Sequence, residues 1–124
     1  MLTKEKKRFF ANIALITGEL STGKLQEGAI VVKEDEILSY GYRKKIISDE
    51  YEISAIQNAI IKAPKNILNA LIFTSYLPNI EDFKILISAG FHSLFFLGEL
   101  NNSETAKFLN KNKALMSLEI IRLE

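Results

Sequence analysis

Ala70-Leu71-Ile72-Phe73-Thr74 and Ser93-Leu94-Phe95-Phe96-Leu97 are two continuous apolar runs separated by a segment of different period. Runs without polar alternation are the pattern of strands covered on both faces, as in a parallel sheet. Between them Ile80, Phe83, Leu86 and Ile87 form a helical stripe that stops at Gly90. Strand, helix, strand at this spacing fits a right-handed parallel crossover. A last helix over about residues 102–112, capped by Asn101-Asn102-Ser103-Glu104, and a closing strand over about 115–122 repeat the alternation, and residues 104–112 supply a helical crossover for a parallel ending.

Upstream, Gly28-Ala29-Ile30-Val31-Val32-Lys33 and Glu36-Ile37-Leu38-Ser39-Tyr40-Gly41-Tyr42 flank the acidic turn Glu34-Asp35 and read as a β-hairpin. A helix over about residues 3–17 precedes it, with Phe9, Ile13 and Ile16 at helical spacing beside Phe10 and Ala14, and Gly18 at its end. Asp49 followed by Glu52 is a capping-box start for a helix of about residues 50–63, on which Ile53, Ile56 and Ile60 share a face up to Pro64. The order α-β-β-α-β-α-β-α-β calls for an α/β fold with a five-stranded mixed sheet between helical layers, a three-layer α/β/α sandwich.

The 124 residues fit one domain spanning 1–124, with 48% apolar and 25% charged side chains in the ordinary globular balance. Sixteen basic against fifteen acidic residues give a net charge of +1. No overall field therefore draws the chain to nucleic acid or anionic lipid. The basic cluster Lys4 to Arg8 reads as a solvated helix start. No stretch approaches the ~20 apolar residues of a membrane span, and the first residues lack the apolar core of a signal peptide, so the expected location is the cytoplasm. With no cysteine and one histidine, His92, a thiolate zinc site is excluded and a conventional zinc site has too few donors.

Three ordered blocks resemble the zinc-dependent cytidine/deoxycytidylate deaminase superfamily, closest to its deoxycytidylate branch. Gly28 to Tyr42 is similar to the family's Gly-Ala-Val-Ile-Val-Lys-Asp-Gly-x-Ile hairpin, with Leu20-Ser21-Thr22 upstream. Ser54-Ala55-Ile56-Gln57-Asn58-Ala59-Ile60 stands where the family has His-Ala-Glu-x-Asn-Ala-Ile. Thr74-Ser75-Tyr76-Leu77-Pro78-Asn79-Ile80-Glu81-Asp82 stands where it has Thr-x-x-x-Pro-Cys-x-x-Cys, and Ala89-Gly90 continues the match. The resemblance implies a cytidine deaminase-like fold.

In that family one His and two Cys hold zinc, which activates a water, and a glutamate moves the protons. The resemblance puts Ser54 at the His position, Ile56 at the Glu position, and Asn79 and Asp82 at the two Cys positions. A hydroxyl, an amide and one carboxylate are not a zinc donor set, and an aliphatic group carries no proton. The expectation is a degenerate site with no catalytic residue, no metal and no cofactor. Asn79 would cap the helix that follows it, with Asp82 completing the box, and Ile56 would extend an apolar stripe. Gly41-Tyr42-Arg43 also departs from the family's Gly-Tyr-Asn.

Three functions remain open on this reading. The first is a non-catalytic, deaminase-like homo-oligomer, a dimer or larger, that works by self-association or partner binding. The second is a nucleotide- or base-binding module using a cleft lined by Ser54, Asn58, Thr74, Ser75, Tyr76 and Asn79. The third is metal-free chemistry using Asp82 or Glu81 with Ser54, for which the sequence arranges no nucleophile with a base. His92 reads as a surface histidine, Phe95 and Phe96 as core. Ser21-Thr22-Gly23-Lys24 lacks the upstream glycine and the preceding strand of a phosphate-binding loop.

Overall fold

The computed structural model describes residues 2–22, 25–47, 51–64, 66–98, 103–113 and 115–123. Helix α1 (Lys4–Thr17) is capped by Thr3, whose hydroxyl accepts from the Lys6 N–H, and runs on into a 3₁₀ turn at Gly18–Leu20. Strands β1 (Gly28–Lys33) and β2 (Glu36–Tyr42) form the expected antiparallel hairpin. Its turn residues Glu34 and Asp35 both have positive φ, the twist that a two-residue hairpin turn demands. Two-residue strands β3 (Lys44–Lys45) and β4 (Glu52–Ile53) pair separately. Helix α2 (Ala55–Lys62), strand β5 (Leu71–Thr74), helix α3 (Ile80–Ala89), strand β6 (Ser93–Phe96), helix α4 (Ser103–Asn112) and strand β7 (Glu119–Arg122) complete the chain.

The sheet order is β2-β1-β5-β6-β7, with β1 antiparallel to both neighbours and β5, β6 and β7 mutually parallel. The five-stranded mixed sheet, its helices on both faces and its parallel ending match the sequence reading. Both parallel crossovers step the same way across the sheet, so a common handedness puts α3 and α4 on one face. That face buries Val31, Ile72, Leu94 and Phe96 against Ile56, Phe83 and Leu86. The alternate residues Ile30, Val32, Phe73 and Phe95 point to the other face, where they meet Phe10, Ala11 and Ala14 of α1. There the Phe73 and Phe95 rings stack at 4.7 Å, and Phe10 sits 5.4 Å from Phe73. No helix among the described residues is long and apolar enough to cross a membrane.

Three local expectations need correction. Helix α2 begins at Ala55 rather than near residue 50, because Ser54 makes a full capping box with Gln57 while Glu52 and Ile53 pair as a strand. Asp49 lies outside the described residues, as do Gly23, Lys24, Asn101 and Asn102. On α1 the buried face is Phe10, Ala11, Ala14 and Thr17; Phe9 and Ile16 are 58% and 62% exposed. The closing strand starts at Glu119 rather than 115, since the Leu115 and Met116 N–H groups bond back to the Asn112 carbonyl and continue the helix end as a turn. The β3–β4 pair was not anticipated.

Two glycines of the hairpin set how closely the helices approach. A Cβ on Gly41 would run into the backbone of Ala55 and Ala59 in α2, and one on Gly28 into the Ala14 carbonyl of α1. Neither obstacle is a flexible side chain. Gly41→Ala should therefore destabilise by about 1–3 kcal/mol, the range of overpacked cores. Urea denaturation checks this, and an unchanged midpoint contradicts the close approach.

Candidate functional site

The N-termini of α2 and α3 meet beyond the carboxyl ends of β5 and β6, and each is capped by its own preceding residue. Ser54 Oγ accepts the Gln57 N–H at 3.1 Å while Gln57 Oε1 accepts the Ser54 N–H at 3.0 Å. Asn79 Oδ1 accepts the Asp82 N–H at 2.9 Å. Asp82 does not complete a box with Asn79, as the sequence suggested. Its carboxylate turns inward and accepts from Ser54 Oγ at 2.9 Å, joining residues 28 apart in the chain. A hydrogen bond of this kind contributes roughly 0.5–1.5 kcal/mol, and about 1.5–3 kcal/mol when the carboxyl is ionised.

Three of the four positions that the sequence reading singled out are thus brought together in the interior. Ile56 is fully buried in the core, Ser54 and Asp82 are 7% and 2% exposed, and only Asn79 is at the surface. Tyr76 leans over the same point: its phenol is faced by Ser54, the Ile56 backbone and the Asp82 carboxylate. Its hydroxyl and Asp82 Oδ2 are nevertheless buried atoms with no aligned hydrogen-bond partner. Burial pushes Tyr76 well above its ordinary value, and the nearby charges of Asp82 and Glu27 add to this.

The sequence reading missed a second layer. Arg43 donates from Nη1 to Glu27 Oε1 at 3.1 Å and from Nε to Glu52 Oε1 at 2.8 Å. Glu27 is 8% exposed; burial raises its pKa above its ordinary value, against the opposing pull of Arg43. The only signals were an acidic residue just before a buried strand and an arginine where the family that the sequence resembles has asparagine. The remaining cleft candidates are committed elsewhere. Thr74 Oγ1 donates to the Tyr76 carbonyl at 2.7 Å, Ser75 Oγ accepts the Gly28 N–H at 2.9 Å, and Asn58 Oδ1 takes the Tyr42 N–H at 3.4 Å. Glu81 stays exposed and pairs with Lys84 at 3.2 Å. His92 is exposed with Nδ1 2.6 Å from Ser93 Oγ, away from these groups in the first turn of α2 and α3.

This arrangement does not fit a zinc ion. Ser54 and Asn79 use their oxygens as helix caps, Asp82 Oδ1 is taken by Ser54, and no thiolate or imidazole is present among them. Among the described residues no three His, Asp or Glu side chains are grouped to hold a metal. Ser54 and Asp82 do form the hydroxyl–carboxylate pair that the sequence could not arrange, but both groups are buried.

No family model matches the sequence, and no curated protein does. Similarity to solved structures is extensive. The deoxycytidylate (dCMP) deaminase of cyanophage S-TIM5 in apo form superposes with a TM-score of 0.83 at 21% identity, covering 98% of this chain and all of that one. The same enzyme in complex with dCMP and dUMP gives 0.82 at 20% identity, over 99% and 100%. The Thermotoga maritima diaminohydroxyphosphoribosylaminopyrimidine deaminase/reductase gives 0.75 at 17% identity, over 95% of this chain and 36% of that one. The fold is that of the cytidine/deoxycytidylate deaminases.

The raised Asp82 carboxyl makes stability depend on pH with a definite sign. Burial is the main cause of the shift, opposed by the Ser54 hydrogen bond and the Arg43 charge. A carboxyl whose native pKa exceeds its unfolded value holds its proton longer when folded, so its contribution is complete below about pH 4 and is lost as pH rises through the native value. Asp82→Asn keeps an acceptor for Ser54 and removes the titration. Its stability relative to the parent should therefore rise as pH increases from about 4 to 7, measured by urea denaturation. A constant or falling difference contradicts the raised pKa.

Proposed function

We propose that this deaminase-fold chain is a non-catalytic protein of the cytoplasm, one domain in extent, that works by self-association. The observation that carries the reading is the buried Ser54–Asp82 hydrogen bond, which occupies two of the positions where the resembled enzymes place metal ligands. Ile56 supports it from the third side, an aliphatic side chain packed into the core where a proton carrier would be needed. A cleft for a nucleotide finds little support, because Asn58, Thr74 and Ser75 spend polar atoms on the protein's own backbone.

Self-association is favoured by the distribution of apolar surface. Ile16 and Leu20 at the end of α1 and Ile37 and Tyr40 on β2 are all exposed, and together with Ile13 and Ile30 they border a shallow groove of about 350 Å³. Strand β2 is also an edge of the sheet, with a row of backbone groups available for pairing. Apolar side chains concentrated in this way mark contact surfaces.

Purified protein should release no ammonia from dCMP, deoxycytidine or cytidine, retain no stoichiometric zinc by mass spectrometry, and sediment as a concentration-dependent oligomer. Ile16→Asp combined with Tyr40→Asp should weaken that association at least about tenfold. Ammonia release above the blank overturns the non-catalytic reading; a monomer at the highest attainable concentration overturns self-association.

A further inference from the structure

The face of the sheet opposite α2, α3 and α4 is covered by a single helix. Helix α1 lies over β1 and β5, which leaves a groove of about 510 Å³ between α1 and the ends of β6 and β7. Its floor is apolar, made by Ala11, Leu97 and Leu123. Its rim is cationic: Lys4, Lys7 and Arg8 project from α1, and Arg122 comes from β7. No carboxylate lines it among the described residues. The chain's net charge of only +1 makes this local concentration of four cations a feature of placement rather than composition.

Two of the cations are held in position. Lys7 Nζ lies over the Phe95 ring at 5.3 Å from its centroid, fixing an ammonium above the apolar floor. Arg122 Nε donates to the Gly98 carbonyl at 2.7 Å, which orients its guanidinium at the groove's end. Lys6, one residue from the groove, pairs instead with Asp35 at 2.7 Å, whereas neither Lys4 nor Lys7 has a carboxylate partner among the described residues.

We infer that this groove binds a small soluble anion with an apolar body, the charged head on Lys4 and Lys7 and the body on Leu97 and Leu123. Its volume lies within the ~300–1,000 Å³ of small-molecule sites. Charge complementarity selects the head, and the concave shape selects a free molecule over a flat lipid surface, which would meet only the rim. The site lies across the sheet from the Ser54–Asp82 pair and shares no lining residue with the groove of Ile16 and Tyr40, so its test is independent of the function proposed above.

Calorimetric titration with 1-naphthyl phosphate, with 1-naphthol as the neutral counterpart, tests the assignment. The phosphate should bind, the naphthol should bind at least about tenfold more weakly, and the phosphate affinity should fall with added salt. Lys4→Glu with Lys7→Glu should lower that affinity at least about tenfold with an unchanged melting temperature, and Lys4→Ala with Lys7→Ala should lower it by less. Absence of binding, equal binding of naphthol, equal binding by both lysine variants, or binding only to phosphatidylglycerol vesicles each overturns it.

Discussion

One hydrogen bond, from Ser54 Oγ to Asp82 Oδ1, ties together the two helix ends around which this end of the fold is built. Each partner already serves its own helix, Ser54 as the cap of α2 and Asp82 as the residue whose N–H is capped by Asn79. The long-range bond therefore joins two local motifs rather than two isolated side chains. Removing one partner would leave the other as a buried polar group, a cost of roughly 1–3 kcal/mol and more for a charge. In a fold whose relatives in structure include deaminases, that bond is a tie that needs no ion.

The surrounding charges show how narrowly the tie is balanced. Asp82 and Glu27 are both buried acids with raised pKa values, and Arg43 is the nearby cation that pulls each of them back. Arg43 also reaches Glu52 in β4, so the short second sheet is anchored to the same cluster. The unsatisfied Tyr76 hydroxyl and Asp82 Oδ2 lie where a protonated carboxyl could serve both. Burial thus works against the ionisation of both acids, and the Arg43 charge works for it.

Much of this architecture was legible because its signals were long and local. Residues 70–97 carry two apolar runs and a helical stripe ended by Gly90, whose left-handed conformation is the cap that the sequence implied. The start of α2 was not, because Asp49-x-x-Glu52 and Ser54-x-x-Gln57 are overlapping capping patterns and only tertiary pairing of Glu52 decides between them. The outward turn of Phe9 and Ile16 was equally hidden, since a helix with apolar residues on most sides does not declare which side the sheet will take. At the site, the identities of Ser54, Ile56, Asn79 and Asp82 were readable from position, but the Ser54–Asp82 bond and the Arg43 bridge join residues distant in sequence and left no local trace.

Among the described residues strand β1 is the only strand with antiparallel neighbours on both sides. Its hairpin with β2 closes across two residues and can form early, whereas its pairing with β5 must close a loop from Val32 to Leu71 before the parallel half has anything to add to. The entropy of that closure makes the β1–β5 seam costlier to form than the hairpin, and a chain lacking it would present the bare edge of a half-built hairpin to its neighbours.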